Sequence, residues 1–151
     1  MNIRIYASVQ SLNWKYIKWI VNTIQQRHDK LAPFWAAGLL VLGGTGLATI
    51  WIDLGAFWKG YVLDMTGPAW NYILFRGLYT SYTINAWTRF FTPKRTLCIF
   101  LLVCAGIEVA QYFNLYKATY DPLDFLAYVA FLIPLFLIDI SQFSYISERE
   151  F

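Results

Sequence analysis

Acidic and amide side chains recur where two long apolar segments of this chain meet. Glu108 and Gln111 lie three residues apart near the end of the apolar segment 96–113, and Asp121 and Asp124 open the next one. Residues three apart lie on the same face of a helix, so each pair points in one direction. An ionisable group inside a segment of membrane-spanning length is costly without a partner or a function. These residues are therefore candidates for ligand binding or proton handling.

Arg76 is the predicted partner of Glu108. If a spanning helix begins near Gly67, Arg76 lies roughly 13 Å inside it at the helical rise. The next helix ends near Leu115, which places Glu108 roughly 10 Å from the same surface. The similar depths predict a buried ion pair between Arg76 and Glu108, with Gln111 adding a hydrogen bond.

Two of the acidic residues also fit structural roles. Asp121 precedes Pro122, a pattern typical of a helix N-cap followed by a first-turn proline. Asp124 then lies in the first helical turn, where the helix dipole favours negative charge. Tyr128 lies one turn further on the same face. Structural and functional roles both stay open, and the candidate polar cluster is Arg76, Glu108, Gln111, Asp121, Asp124 and Tyr128.

The composition indicates an integral membrane protein. Of 151 residues, 58% are hydrophobic and only 14% are charged, whereas a soluble domain has about a quarter charged residues. The net charge of +3 does not come from one basic stripe, so we expect no nucleic-acid binding. The 20% aromatic content suits side chains at the boundary between water and lipid.

The apolar segments predict an all-α integral membrane helical bundle with about four transmembrane helices. An amphipathic helix over 12–30 is expected to lie in the membrane interface. The predicted spans are 33–52, 67–91, 96–115 and 122–140, with a kink at Pro134. The predicted domains are an N-terminal cytoplasmic or interfacial segment 1–32, a transmembrane domain 33–140 and a polar tail 141–151.

The positive charges predict the orientation. With four spans, nine of the twelve Lys and Arg residues fall in segments on one side of the membrane. By the positive-inside rule both termini are cytoplasmic. An uncleaved first helix with this orientation suits a bacterial inner membrane, and an organelle membrane stays open as an alternative.

Recognisable catalytic motifs are missing from the sequence. His28 is the single histidine and lies in the basic N-terminal segment, away from the acidic residues. There is no glycine-rich phosphate loop, no HExxH and no GxSxG. We therefore expect no catalytic residue, no metal site and no cofactor.

The acidic segment resembles the VanZ-like family of small bacterial membrane proteins over about residues 96–140. In that family an acidic residue followed closely by Gln precedes a short loop and a helix that opens with Asp. Glu108, Gln111 and Asp124 match those positions, whereas Lys117 stands where the family has Arg and Tyr128 where it favours Asn. The resemblance implies handling of an amphiphilic molecule at the outer leaflet.

Two functions follow from these observations. The first is a non-catalytic accessory or structural subunit of a larger membrane complex, with lipids and other membrane subunits as partners. The alternative is an amphiphile- or lipid-binding protein with an outward-facing polar pocket. A proton-conducting subunit that uses Glu108 is a third and weaker hypothesis, because a carboxyl group paired with Arg is a poor proton relay.

Overall fold

The computed structural model describes the backbone of residues 3–115 and 121–147, and all regular structure in these ranges is helical. Lys117 and the end of the tail lie outside the described residues. A π-helical turn over Trp58–Val62 continues directly into the second α-helix. The α-helices are α1 Ile3–Ala48, α2 Leu63–Arg76, α3 Ala86–Phe90, α4 Pro93–Tyr112 and α5 Pro122–Ser147.

Three stretches of helix are long and apolar enough to cross a membrane. They are Asn22–Ala48 within α1, Pro93–Tyr112, which is α4, and Leu123–Gln142 within α5. The predicted all-α membrane architecture is confirmed to this extent. The predicted second span does not belong to this set, because the helix in that region is shorter and more polar.

The N-terminal half is one continuous helix. The sequence predicted a break between an interfacial helix ending at Lys30 and a span beginning at Pro33, but α1 continues through Pro33. Membrane helices tolerate internal proline because neighbouring groups satisfy the freed carbonyl. With 46 residues α1 is roughly 69 Å long, more than twice the length of α4. Part of α1 therefore extends beyond the other helices.

The second helix begins and ends earlier than predicted. The predicted span 67–91 was wrong at both ends, because helical structure is present from Trp58 and α2 ends at Arg76. Gly77 adopts the left-handed conformation with φ 64°. The N–H of Leu78 bonds the carbonyl of Ile73, and the N–H of Gly77 bonds that of Leu74. These two bonds are the Schellman motif that ends helices.

The polar residues that follow Arg76 lie outside the helix. Tyr79, Thr80 and Thr83 fall within the predicted span 67–91, but they lie in the turn and loop that follow α2. This loop leads to α3, whose N-cap is Asn85. The Asn85 side chain accepts from the Thr88 N–H, and the Thr88 hydroxyl accepts from the Asn85 N–H. This reciprocal pair is a capping box.

The short polar helix α2 occupies the centre of the fold, packed against α1, α4 and α5. Tyr72 and Ile73 of α2 are buried in the core with Trp35 of α1 and Leu132 of α5. The helices α1 and α2 approach closely at Gly46, where an added Cβ would lie 2.5 Å from the Thr66 hydroxyl oxygen. The polar side chains of α2 therefore lie between the other helices.

We predict that Gly77→Ala destabilises the fold. A residue with a Cβ costs about 1–2 kcal/mol in the left-handed conformation. Gly106→Ala is the matched control, because a Cβ at this helical glycine meets no atom within 4 Å. The measurement is unfolding in mixed micelles, where the Gly77 variant should unfold at lower denaturant and the Gly106 variant should not. Equal midpoints for the two variants would contradict the assigned helix end.

Candidate functional site

Polar side chains form two clusters at opposite ends of α2. The ion-pair cluster consists of Tyr72, Arg76 and Asp139. The carboxyl cluster consists of Asp64, Glu108, Asp124 and Tyr128. Twelve residues of helix separate Asp64 from Arg76, or roughly 18 Å along the axis. The two clusters are therefore separate sites.

The ion-pair cluster is fully hydrogen-bonded. Arg76 Nε donates to Asp139 Oδ2 at 2.7 Å, and Arg76 Nη2 donates to Asp139 Oδ1 at 3.1 Å. The Tyr72 hydroxyl donates to Asp139 Oδ2 at 2.6 Å, and Arg76 Nη1 donates to the Phe91 carbonyl at 2.8 Å. Asp139 has no solvent exposure. The bidentate geometry joins α2, α5 and the segment before α4, which is a structural role.

The predicted ion pair between Arg76 and Glu108 was wrong, because Arg76 pairs with Asp139. A helix that starts near Gly67 would place Arg76 near the same membrane surface as Glu108. The helix instead ends at Arg76, at the opposite end from Glu108. Asp139 was missed although it is a carboxyl group inside the apolar segment 122–140, the same signal that identified Glu108.

The carboxyl cluster joins three helices and contains no basic side chain among the residues that the structure describes. Asp64 of α2 lines a cavity together with Tyr128 of α5, and the Tyr128 hydroxyl bonds Glu108 of α4. Asp124 lies one helical turn before Tyr128 on α5. None of the three has a salt-bridge partner among the described residues. Asp64 was missed by the sequence analysis, which placed it in a connector between spans. Its signal was an acidic residue three positions before the predicted start of the helix at Gly67.

Glu108 is buried with only half of its hydrogen-bonding capacity used. Its Oε1 accepts from the Tyr128 hydroxyl at 2.9 Å, whereas its Oε2 has no partner. The side chain is 8% exposed, so water does not fully compensate the free oxygen. A buried acceptor without a partner is costly and indicates an unfilled interaction.

A cavity of about 330 Å³ lies beside this cluster, between α2 and α4. Asp64, Asn71, Gln111 and Tyr128 give it polar groups, and Gln111 Oε1 has no hydrogen-bond partner. Its apolar wall includes Leu63, Phe100, Val103 and Ile107. The cavity therefore combines hydrogen-bonding groups with an apolar surface.

Asp121 caps α5 at the edge of this region. Its Oδ1 accepts from the Leu123 N–H at 2.9 Å, which is the cap bond predicted from the sequence. Its Oδ2 accepts from the Tyr61 hydroxyl at 2.8 Å. The Leu123 N–H and then the Tyr61 hydroxyl hold the pKa of Asp121 below its usual value. Both oxygens of Asp121 are thus engaged within the protein.

The structure brings four of the six predicted site residues to one place. Glu108, Gln111, Asp124 and Tyr128 lie in or beside the carboxyl cluster. Asp121 lies at its edge as a helix cap, and Arg76 belongs to the ion-pair cluster at the other end of α2. Within the described ranges, no group of three His, Cys, Asp or Glu residues is arranged to hold a metal ion.

A second cavity of about 320 Å³ lies at the end of α2 that carries Arg76. The loop after α2 forms most of its wall, together with His28 of α1. The Asp29 carboxylate of α1 accepts a hydrogen bond from the Tyr82 N–H at 2.8 Å, which connects this loop to α1. The polar groups of the loop mainly bond one another, so the turns of the loop and the cap of α3 account for most of the shape of this cavity.

No protein-family model, curated protein or solved structure matches this chain. A functional assignment therefore depends on the geometry of the two clusters and the cavities beside them.

We predict that the ion pair behaves as one unit in stability measurements. Arg76→Met should cost about 3–5 kcal/mol, because it leaves Asp139 charged and unpaired in an apolar interior. Arg76→Met combined with Asp139→Leu should cost less than the sum of the two single changes. The measurement is a double-mutant cycle of unfolding in mixed micelles, and strictly additive losses would show that the two side chains are not coupled.

Proposed function

We propose that this protein is a membrane-embedded binding protein for an amphiphilic molecule. The observation that carries the proposal is the partly open cavity between α2 and α4, which has polar groups and an apolar wall in one volume. Its size falls at the lower end of the range typical of small-molecule sites, about 300–1,000 Å³. A ligand with a polar headgroup and an apolar chain matches both surfaces.

The apolar wall offers a route of entry from the lipid. Val103 and Ile107 line the cavity and are also 50% and 38% exposed on the outside of α4. In a bilayer, that exposed surface meets acyl chains rather than water. An amphiphile can therefore enter sideways, with its chain beside α4 and its headgroup toward Gln111 and Asp64.

The proposal includes a four-span topology. The helical residues 56–57, the π-helical turn and α2 form a continuous helix over 56–76, which has 21 residues and a length of roughly 31 Å, sufficient to cross the hydrocarbon core. The positive-inside rule then puts both termini in the cytoplasm of a bacterial cell and the carboxyl cluster near the outer surface of the inner membrane. π-Helical turns such as Trp58–Val62 are frequent at functional sites.

The resemblance to the VanZ-like family supports the same location. The residues that carry it are Glu108, Gln111 and Asp124, and all three lie at or beside the cavity. Handling of an amphiphile at the outer leaflet, which the resemblance implies, needs polar groups at this depth and an opening toward lipid.

A role as an accessory subunit is the second candidate function, and the length of α1 favours it. A helix of roughly 69 Å extends well past a hydrophobic core of about 30 Å. The excess length is available to another membrane subunit. Gentle extraction followed by native electrophoresis tests this proposal. A stable subunit should migrate in a larger complex with its partners, whereas a free protein should migrate alone at a size consistent with its 17.6 kDa chain.

We predict that filling the cavity abolishes retention of the amphiphile. Gly67 lines the cavity, and a Cβ at this position meets no atom within 4 Å, so Gly67→Phe adds a ring without displacing the backbone. The protein is extracted with a polymer that keeps surrounding lipid, and the retained small molecules are identified by mass spectrometry. The wild type should retain a specific amphiphile that the Gly67 variant lacks.

The control for this experiment is Gly106→Phe. Gly106 is also a helical glycine with open space around its Cβ, but it does not line the cavity. This variant should retain the amphiphile as the wild type does. A wild type that retains only bulk lipid, in the same proportions as the Gly67 variant, would refute the proposed function.

A further inference from the structure

We infer that the amphiphile carries a cationic ammonium headgroup, held by Glu108 and Asp64. This inference rests on the proposed function and specifies the chemistry of the ligand. It follows from the charge balance of the carboxyl cluster, from the unused acceptors around it and from the size of the cavity.

The charge of the carboxyl cluster is unbalanced within the described chain. Asp64 lines the same cavity as Tyr128, and the Tyr128 hydroxyl bonds Glu108. Asp124 lies one helical turn before Tyr128 on α5. No Lys, Arg or His among the described residues forms a salt bridge with any of these three carboxyl groups. The same protein pairs its other buried carboxylate, Asp139, with Arg76. Like charges brought together in a poorly hydrated place repel one another and favour a cation beside them.

The unused hydrogen-bonding atoms at this site are both acceptors. Glu108 Oε2 is buried without a partner, and so is Gln111 Oε1 on the cavity wall. A primary ammonium group has three donors and no acceptor, so it can satisfy both oxygens. A phosphate or sulfate headgroup would instead place negative charge and more acceptors beside Glu108 and Asp64. The site therefore selects against anionic lipids.

The cavity suits an organic cation better than an inorganic one. Its volume of about 330 Å³ is far larger than one ion needs, since a water molecule occupies about 30 Å³ of liquid. No group of three potential ligands in the described chain is arranged to coordinate a metal. Phe100 and Tyr128 contribute aromatic rings to the wall, and ammonium groups are attracted to such rings.

The test compares three probes with the same twelve-carbon chain and different headgroups. Purified protein in nanodiscs of phosphatidylcholine is titrated with radiolabelled dodecylammonium, dodecyl maltoside or dodecyl sulfate, and binding to empty nanodiscs is subtracted. We expect saturable binding of dodecylammonium with a Kd at least tenfold lower than that of dodecyl maltoside. Dodecyl sulfate should bind more weakly than the maltoside.

Variants assign the preference to the carboxyl groups. Glu108→Gln and Asp64→Asn should each raise the Kd for dodecylammonium at least tenfold, and each should raise it by a larger factor than the Kd for dodecyl maltoside. Asp53→Asn is the control, because Asp53 is an exposed carboxylate paired with Lys59 at 2.7 Å and does not line the cavity. Asp64 is only half-buried, so its variant keeps the test valid if Glu108→Gln does not fold.

The outcomes separate this inference from the proposed function. If dodecyl maltoside binds as tightly as dodecylammonium, the cationic headgroup is refuted and amphiphile binding stands. If methylammonium without a chain competes as well as dodecylammonium, the site binds small cations and the amphiphile is refuted. If no probe binds saturably, the proposed function itself fails.

Discussion

The bidentate contact between Arg76 and Asp139 is the interaction on which the rest of the structure depends. Two charges in an apolar interior cost several kcal/mol unless their geometry and remaining hydrogen bonds are good. Here both Asp139 oxygens accept bonds, and the Tyr72 hydroxyl and the Phe91 carbonyl complete the set. The contact fixes the relative position of α2 and α5. It thereby determines which residues meet at the other end of α2.

The two ends of α2 illustrate how charge balance separates structural from functional groups. At one end a carboxylate and a guanidinium neutralise each other. At the other end Glu108 keeps a free oxygen beside Asp64 and Asp124, although its other oxygen bonds Tyr128. Asp139 has a cationic partner, whereas Glu108 has none among the described residues. Glu108 is therefore available to bind a ligand. The adjoining cavity provides the space that a ligand would occupy.

Part of this arrangement could be predicted from the sequence. The long apolar segments predicted α4 and α5, and the candidate residues Glu108, Asp124 and Tyr128 are three of the four members of the carboxyl cluster. The extent of α2 was mispredicted because Gly77 ends the helix through its backbone conformation, which hydrophobic periodicity does not encode. The partner of Arg76 was mispredicted because the helix begins before Gly67, so Arg76 lies further along it than the predicted start implied.

The proposed site requires that α2 crosses the membrane. The most direct test is the accessibility to an impermeant label of one residue before α2 and one residue after it. Cysteines are introduced singly as Asp53→Cys and Lys94→Cys after Cys98 and Cys104 are replaced by serine or alanine. Intact cells are treated with a membrane-impermeant maleimide. The account predicts that the residue 53 cysteine is labelled in intact cells and that the residue 94 cysteine is labelled only after permeabilisation. Labelling of both from the same side would contradict it.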